Sequence, residues 1–253
     1  MSTSASQFDL QALRERTCYA QVIVLDEVDS TQRVAREMAD AHEAELPSLI
    51  VAHRQTAGRG RGSNRWVADT GSLAVTFLLP PPSHEHAMQE LPLRAGLAVR
   101  RAIQQWVGEL NLQIKWPNDV WLSGKKVAGL LCERRQGVDL IGLGLNVQLD
   151  VASLEPAVAQ RATSIHQHLQ RGITCPGRQE VLIAIACEML TLWQDEFWCE
   201  TLNRIHALTG RDIVVHNDDG PLAGVCEGID TQGRLLLRCG QTLHRLLDGT
   251  IEK

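Results

Sequence analysis

Two short runs rich in large and β-branched side chains, SLIVAHRQ from Ser48 and SLAVTFLLP from Ser72, constrain this chain more than any other feature. Each is short, apolar and bounded by turn-forming residues, and so reads as a core strand. Between them lies TAGRGRGSNRW, Thr56 to Trp66, with three glycines and three arginines. At a chain end such a stretch would read as a flexible nucleic-acid tail; held by a core strand at either side, it is a loop. Glycines 58, 60 and 62 let backbone N–H groups come close to a ligand, and Arg59 and Arg61 supply planar donor forks suited to carboxylate or phosphate. The same composition fits a flexible surface loop or a weak RNA-binding segment, and the loop alone leaves all three readings open.

The surrounding pattern places the loop in a mixed sheet. YAQVIVLDEV from Tyr19 reads as a buried strand, followed by a helix over TQRVAREMADA with Asp29 or Ser30 as its cap. Pro92 suits the first turn of a helix that ends near Glu109. Then come LQIKW, VWLSGKKVAGLLCERR with a turn at Ser123-Gly124, and VDLIGLGLNVQL, three runs expected to be adjacent strands of one partly antiparallel sheet. Ala157 to Leu208 reads as helical, broken at GITCPG. From Thr209 onward, short β-rich runs alternate with Asp-Gly, Gln-Gly and Cys-Gly-Gln turns, as in a small barrel.

Composition narrows the partners. Net charge is −5, so the molecule as a whole does not attract nucleic acid or anionic lipid, and any anion site must be local. Of 25 basic residues only Lys115, Lys125, Lys126 and Lys253 are lysines, three of them within a span of twelve residues. No apolar run approaches a membrane span, and the N-terminus lacks a secretory pattern, so a cytoplasmic protein is expected. Seven cysteines without a C-x-x-C pair read as reduced and mostly buried. His84-x-His86 and His166-x-His168 lack a supporting carboxylate and read as solvated surface rather than metal ligands.

The lysine cluster surrounds KWPNDVWLSGKKVAG, Lys115 to Gly129. A Pro-Asn-Asp corner accounts for the turn but not for a lysine before it and a Lys-Lys pair where apolar residues resume. A lysine entering a buried strand is costly unless it meets an anion. Neither a Walker A sequence nor G-x-G-x-x-G is present: position 119 is Asp, and GLGLNV opens no helix.

With DSTQ (Asp29 to Gln32), RQTAGRGR (Arg54 to Arg61) and Trp66, KWPND, KKVAGLL and GLGLNV in this order, residues 20 to 150 resemble the motif series of biotin protein ligases. The resemblance implies an α+β fold in which a mixed sheet packs with helices, the class II synthetase-like biotin/lipoate ligase catalytic domain, over residues 1–206. A small SH3-like β barrel would follow over residues 207–253. It also implies two steps: biotin's carboxylate attacks the α-phosphate of ATP, and an acceptor lysine on the biotin carrier domain of a biotin-dependent carboxylase takes the biotinyl group. On that resemblance Ser30, Thr31, Gln55, Gly58, Arg59, Arg61, Lys126 and Gly129 contact biotin. Arg59, Arg61, Trp66, Lys115, Asn118 and Asn146 contact ATP. Lys126, Arg61 and Asp119 carry catalysis, with Asp119 also a ligand for Mg²⁺.

Two departures from the family pattern stand out. The commonest loop, GRGRRGR-x-W, is replaced here by Gly62-Ser63-Asn64-Arg65 before Trp66, so a basic position is lost and faster leakage of the adenylate is expected. DSTQ carries Gln where DSTN is usual, a longer arm with the same amide. Only about 20 residues precede the first strand, and no DNA-binding module or repressor activity is expected. A lipoate or octanoate ligase and a noncatalytic nucleotide- or RNA-binding module are the alternatives. The chain is expected to be a monomer or homodimer.

Overall fold

The computed structural model describes residues 8–62, 64–66, 71–82, 88–218 and 220–252; His84 and His86 lie outside them. The helices are α1 (Leu10–Arg16), α2 (Thr31–Asp40), α3 (Glu90–Val107), α4 (Pro156–Ala159), α5 (Arg178–Leu190) and α6 (Trp198–Ile205). A first sheet is built from β1 (Gln21–Val28), β2 (Ser48–Gln55), β3 (Ser72–Leu79), β4 (Leu112–Lys115), β5 (Asp119–Leu122), β6 (Lys125–Arg135) and β7 (Val138–Asn146). Its order is β1-β2-β3-β7-β6-β5-β4, with β1 parallel to β2 and every other neighbouring pair antiparallel. A second, antiparallel sheet holds β8 (Asp212–Asn217), β9 (Gly220–Ile229), β10 (Leu235–Cys239), β11 (Thr242–Leu246) and β12 (Thr250–Ile251), in the order β11-β10-β9-β8-β12. This is the mixed α+β architecture with a small terminal β unit that the motif order implied.

Both faces of the central strands are covered, which is why β3 and β7 read as near-continuous apolar runs rather than alternating ones. On one face Phe77, Ile141, Leu143 and Leu145 join the large core built with Leu91, Leu93 and Leu97 of α3 and Ile185 of α5. On the other, Ala35 and Ala39 of α2 pack on Ile50, Leu78 and Leu140. Side chains two apart share a face, so Gly142 and Gly144 follow Leu140 on the α2 side. The sequence sets that helix's reach: its N-terminus is at Thr31, so the sheet beyond it is left for other contacts.

Four local expectations are refined. Ser30 takes the N-cap position of α2 but makes no side-chain capping bond. At the first helical residue the Thr31 N–H donates to Gln55 Oε1 at 2.8 Å. The region expected to be helical from Ala157 yields α4, a 3₁₀ turn at Ile165–His168, then α5 and α6, with Arg161–Ser164 and Leu169–Gly177 irregular. Here backbone groups bond across to the sheet, as from Thr163 N to Lys126 O at 2.9 Å, in place of a helical ladder. His168 is half-buried rather than solvated, because its ring bonds Thr163 Oγ1 at 2.8 Å and Ser123 Oγ at 3.3 Å. Among the seven free cysteines only Cys226 is buried, while Cys18 and Cys187 are exposed, so the mostly buried set is corrected. No helix among the described residues is long and apolar enough to cross a membrane.

The two sheets meet at the Trp116-Pro117 corner. Trp116 is 1% exposed; its indole N–H donates to Gly233 O at 3.1 Å, and its backbone N–H faces His206 Nε2 at 3.4 Å. His206 Nδ1 pairs with Thr209 Oγ1 at 3.0 Å, so the imidazole ties the end of α6 to both sheets. Burial pushes this histidine from 6.5 down to about 4. As pH falls, the unfolded chain takes up the proton first. Stability is therefore full above the unfolded value and is lost on acidification toward the folded one. A shift of this size corresponds to on the order of 3 kcal/mol. The melting temperature should fall between pH 6.5 and 4, and His206→Gln should flatten that slope. Equal slopes in wild type and variant would refute the assignment.

Candidate active site

A row of small residues crosses the first sheet beyond α2. Asp119 pairs with Gly129, Gly129 with Gly144, Gly144 with Ala74, and Ala74 with Ala52. The result is a strip of nearly bare backbone, and the indole of Trp66 lies on it. A β-carbon at Gly144 would stand 2.2 Å from the Trp66 ring, a distance no side chain tolerates. One row along, a β-carbon at Gly142 would stand 2.6 Å from Gln32 Oε1. GLGLNV therefore supplies clearance for an indole and an amide rather than a phosphate cradle.

The glycine-arginine stretch is a small hairpin anchored at both ends. The Thr56 and Ala57 N–H groups donate to Val28 O and Asp29 O, each at 2.9 Å, and Trp66 N donates to Gly58 O at 3.0 Å. Arg59 and Arg65 pair as an isolated bridge, Gly60 N donates to Asn64 O at 2.9 Å, and Gly62 turns the tip at φ +62°. Space around Gly62 is open, but its left-handed φ would strain an arginine there. Ser63 lies outside the described residues. Arg61 reaches back across the cleft: its Nη1 donates to Gly249 O at 3.0 Å, joining the loop to the second sheet.

The start of α2 forms another wall. Thr31 donates through both its N–H (2.8 Å) and its hydroxyl (3.1 Å) to Gln55 Oε1. Thr76 Oγ1 donates toward Thr31 Oγ1 at 2.9 Å or Gln32 Oε1 at 3.2 Å. Ser30, Thr31 and Gln32 are all buried, so DSTQ presents fixed polar groups at a helix N-terminus, where negative charge is favoured. Gln32, noted in the sequence only as a longer arm in place of Asn, is held by the space that Gly142 leaves.

These walls enclose a cavity of about 450 Å³. Ser30, Thr31, Gln55, Arg59, Arg61, Trp66, Lys115, Asn118, Asp119, Lys126 and Gly129 all line it. Two of the residues assigned by resemblance do not: Gly58 sits behind Trp66, and Asn146 donates from its amide to Thr163 O at 2.9 Å. Among the lining residues not assigned to the site from the sequence are Gln32, Arg65, Thr76 and Gly249 to Ile251. Arg65 was visible as a basic residue beside Trp66; the β12 residues carried no local signal, since only the meeting of the two sheets brings them here.

The charges are lopsided. Among the described residues, Arg59, Arg61, Arg65, Lys115 and Lys126 line the cavity against a single carboxylate, Asp119. Lys126 Nζ is 2.6 Å from Asp119 Oδ1 and 5.8 Å from the Trp66 ring centroid, and its side chain remains about one-third exposed. Burial holds the Lys115 ammonium below the ordinary lysine value against the pull of Asp119, and the nearby Lys126 and Arg161 lower it further. Its Nζ stacks 5.1 Å from Trp121. The Asn118 amide donates to Leu130 O at 2.6 Å and so pins the corner to β6. Trp66 Nε1 is buried with no hydrogen-bond partner among the described residues. No cluster of three or more histidine, cysteine or acidic residues suited to a metal occurs among them. A Mg²⁺ at Asp119 would thus be held largely by the phosphate oxygens of a nucleotide.

Comparison with known proteins agrees with this geometry. The biotin/lipoate A/B protein ligase family matches residues 24–150, half of the chain. The bifunctional ligase/repressor BirA of Bacillus subtilis is 30% identical over 240 residues, covering 91% of this chain and 73% of that protein. The biotin–(acetyl-CoA-carboxylase) ligase of Paracoccus denitrificans is 30% identical, covering 85% of this chain and 93% of its own. Among solved structures, the biotin protein ligase of Aquifex aeolicus in complex with biotin and ATP superposes with a TM-score of 0.78 at 28% identity, covering 92% of this chain and 98% of that one.

If the indole on the glycine strip holds the loop, Gly144→Ala should release it. Limited trypsin digestion should then cut the variant within residues 59–65 severalfold faster than wild type, at a similar global unfolding midpoint. Unchanged cleavage would mean that the loop is held elsewhere.

Proposed function

Since this chain belongs to the biotin/lipoate A/B protein ligase family, we propose that it activates biotin with ATP as biotinyl-5′-AMP and transfers the biotinyl group to a lysine of a carboxylase's biotin carrier domain. The observation that carries this reading is the gathering, among the described residues, of five cationic residues and one carboxylate around a single cavity in a chain of net charge −5. The first step presses a carboxylate against a triphosphate. Fixed positive charge in a partly desolvated cleft offsets the repulsion, and holding the two reactants in line lowers the barrier further.

In this mechanism a carboxylate oxygen of biotin attacks the α-phosphorus, the bond to the β-phosphate breaks, and pyrophosphate leaves. Lys126 neutralises the carboxylate and the α-phosphate together, and Asp119, at 2.6 Å, fixes the direction of its ammonium. Arg59 and Arg61 approach from the loop and Lys115 from β4 to meet phosphate oxygens. Ser30, Thr31, Gln32 and Gln55 form the polar wall for the ureido ring. A bound Mg²⁺ would shield the charge of the departing phosphates. In the second step the acceptor amine adds to the acyl carbon, the bond to the phosphate oxygen breaks, and AMP leaves. The mixed anhydride is open to water, so the hairpin held by Trp66 and by the Arg61–Gly249 contact protects it.

Pyrophosphate exchange measured with biotin and with lipoate in parallel tests the reading: exchange with biotin alone supports it, and exchange with lipoate alone overturns it. Lys126→Ala should lower the exchange rate by about two to three orders of magnitude, with a matching loss of labelled biotin on the carrier domain. Undiminished transfer by this variant would remove Lys126 from the chemistry.

A further inference from the structure

Beside the main cavity lies a second one, of about 200 Å³. The two share Arg61, Trp116, Pro117, Asn118, Leu130 and Leu131 as a common wall. From there the smaller cavity runs between the approach to α3, at Met88 and Pro92, and the β11–β12 turn, at Leu247 and Asp248. Leu247 is 55% exposed and Asp248 is also exposed, whereas Leu130 and the Trp116 corner are buried. The smaller cavity therefore has an exposed rim at Leu247 and Asp248, a mostly apolar wall and, on the side it shares with the main cavity, the cation of Arg61. We propose that it is the route by which the acceptor lysine side chain reaches the activated acyl carbon, an inference that rests on the ligase reading above.

Three features of lysine match these three zones. Its ammonium meets the Asp248 carboxylate at the rim, and its four-carbon stem suits the walls of Met88, Pro92, Leu130 and Leu131. At the inner end the Arg61 guanidinium opposes an ammonium but not a neutral amine. The proton is therefore shed to water as the side chain leaves the Asp248 carboxylate and nears Arg61, and the amine arrives as a nucleophile. The nitrogen lone pair then forms the amide bond as the acyl carbon–phosphate oxygen bond breaks; AMP departs with that electron pair, and the second N–H proton passes to water. The same turn that offers Asp248 also fixes the inner cation, because the Gly249 carbonyl accepts from Arg61 at 3.0 Å. The main cavity would be filled by biotin and nucleotide, so a third reactant needs a separate entrance.

Asp248→Lys tests this in the full-length protein. Biotin-dependent pyrophosphate exchange should stay within about twofold of wild type. The carrier-domain concentration giving half-maximal transfer from preformed adenylate should rise about tenfold, since like charge now meets the incoming ammonium. Hydroxylamine, a small uncharged nucleophile, should cleave the adenylate equally fast in both proteins. Leu247→Glu, which leaves Asp248 in place, should not reproduce the tenfold rise. Transfer by Asp248→Lys that matches wild type would overturn the proposal, as would a parallel fall in exchange and transfer. Absence of exchange in wild type would instead defeat the ligase reading itself, so the two failures are distinguishable.

Discussion

The contact on which the site depends is an aromatic ring resting on bare backbone. Trp66 lies against β7 at Gly144 and near β6 at Gly129, and these two glycines are direct partners across the sheet. A strand glycine ordinarily weakens a sheet, because it adds backbone entropy to the unfolded chain and offers no side chain to pack. Here the strip it opens is filled by an indole delivered from a loop with few apolar residues of its own. One ring thus connects the hairpin, the sheet and, at 5.8 Å, the Lys126 ammonium.

Charge follows from that placement. Lys126, one-third exposed beside the Trp66 face, is paired with the Asp119 carboxylate at 2.6 Å. Lys115, deeper and stacked on Trp121, is held below the usual lysine value by burial. A cavity with such an excess of cations carries a standing repulsion, which an anionic ligand would relieve. Three of the cations share the hairpin, and the other two stand apart on β4 and at the start of β6, with Lys126 paired to Asp119.

Much of this was legible in the sequence. The framing of TAGRGRGSNRW by two core strands, the antiparallel run from Leu112 to Asn146 and the lysines around KWPND are local patterns, and local patterns survive being read without a fold. What escaped depends on distant pairings. Nothing in the text of LLDGTIEK says that Gly249 will accept from an arginine 188 positions away. Gly142 and Gly144 looked like a failed phosphate motif, because their role is to leave room for Gln32 and Trp66 from elsewhere in the chain. The Ser30 cap position was legible, but not that its hydroxyl makes no capping bond or that Gln55 from β2 accepts from the Thr31 N–H beside it.

The second sheet is accordingly more than an appendage. Trp116 Nε1 donates to Gly233 O at 3.1 Å, Arg61 donates to Gly249 O at 3.0 Å, and β12 contributes Thr250 and Ile251 to the cavity wall. Two of these contacts use backbone carbonyls in turns of the second sheet, Gly233 between β9 and β10 and Gly249 between β11 and β12. Such acceptors hold their positions only while the strands that flank the turns stay paired. The hairpin, with three glycines between Ala57 and Ser63, cannot hold one conformation by itself. It borrows order from the glycine strip beneath and from the carbonyl at Gly249 across the cleft. Releasing either support would leave the other to fix Arg59 and Arg61 alone, and the cationic ring would lose its geometry before the core of either sheet was disturbed.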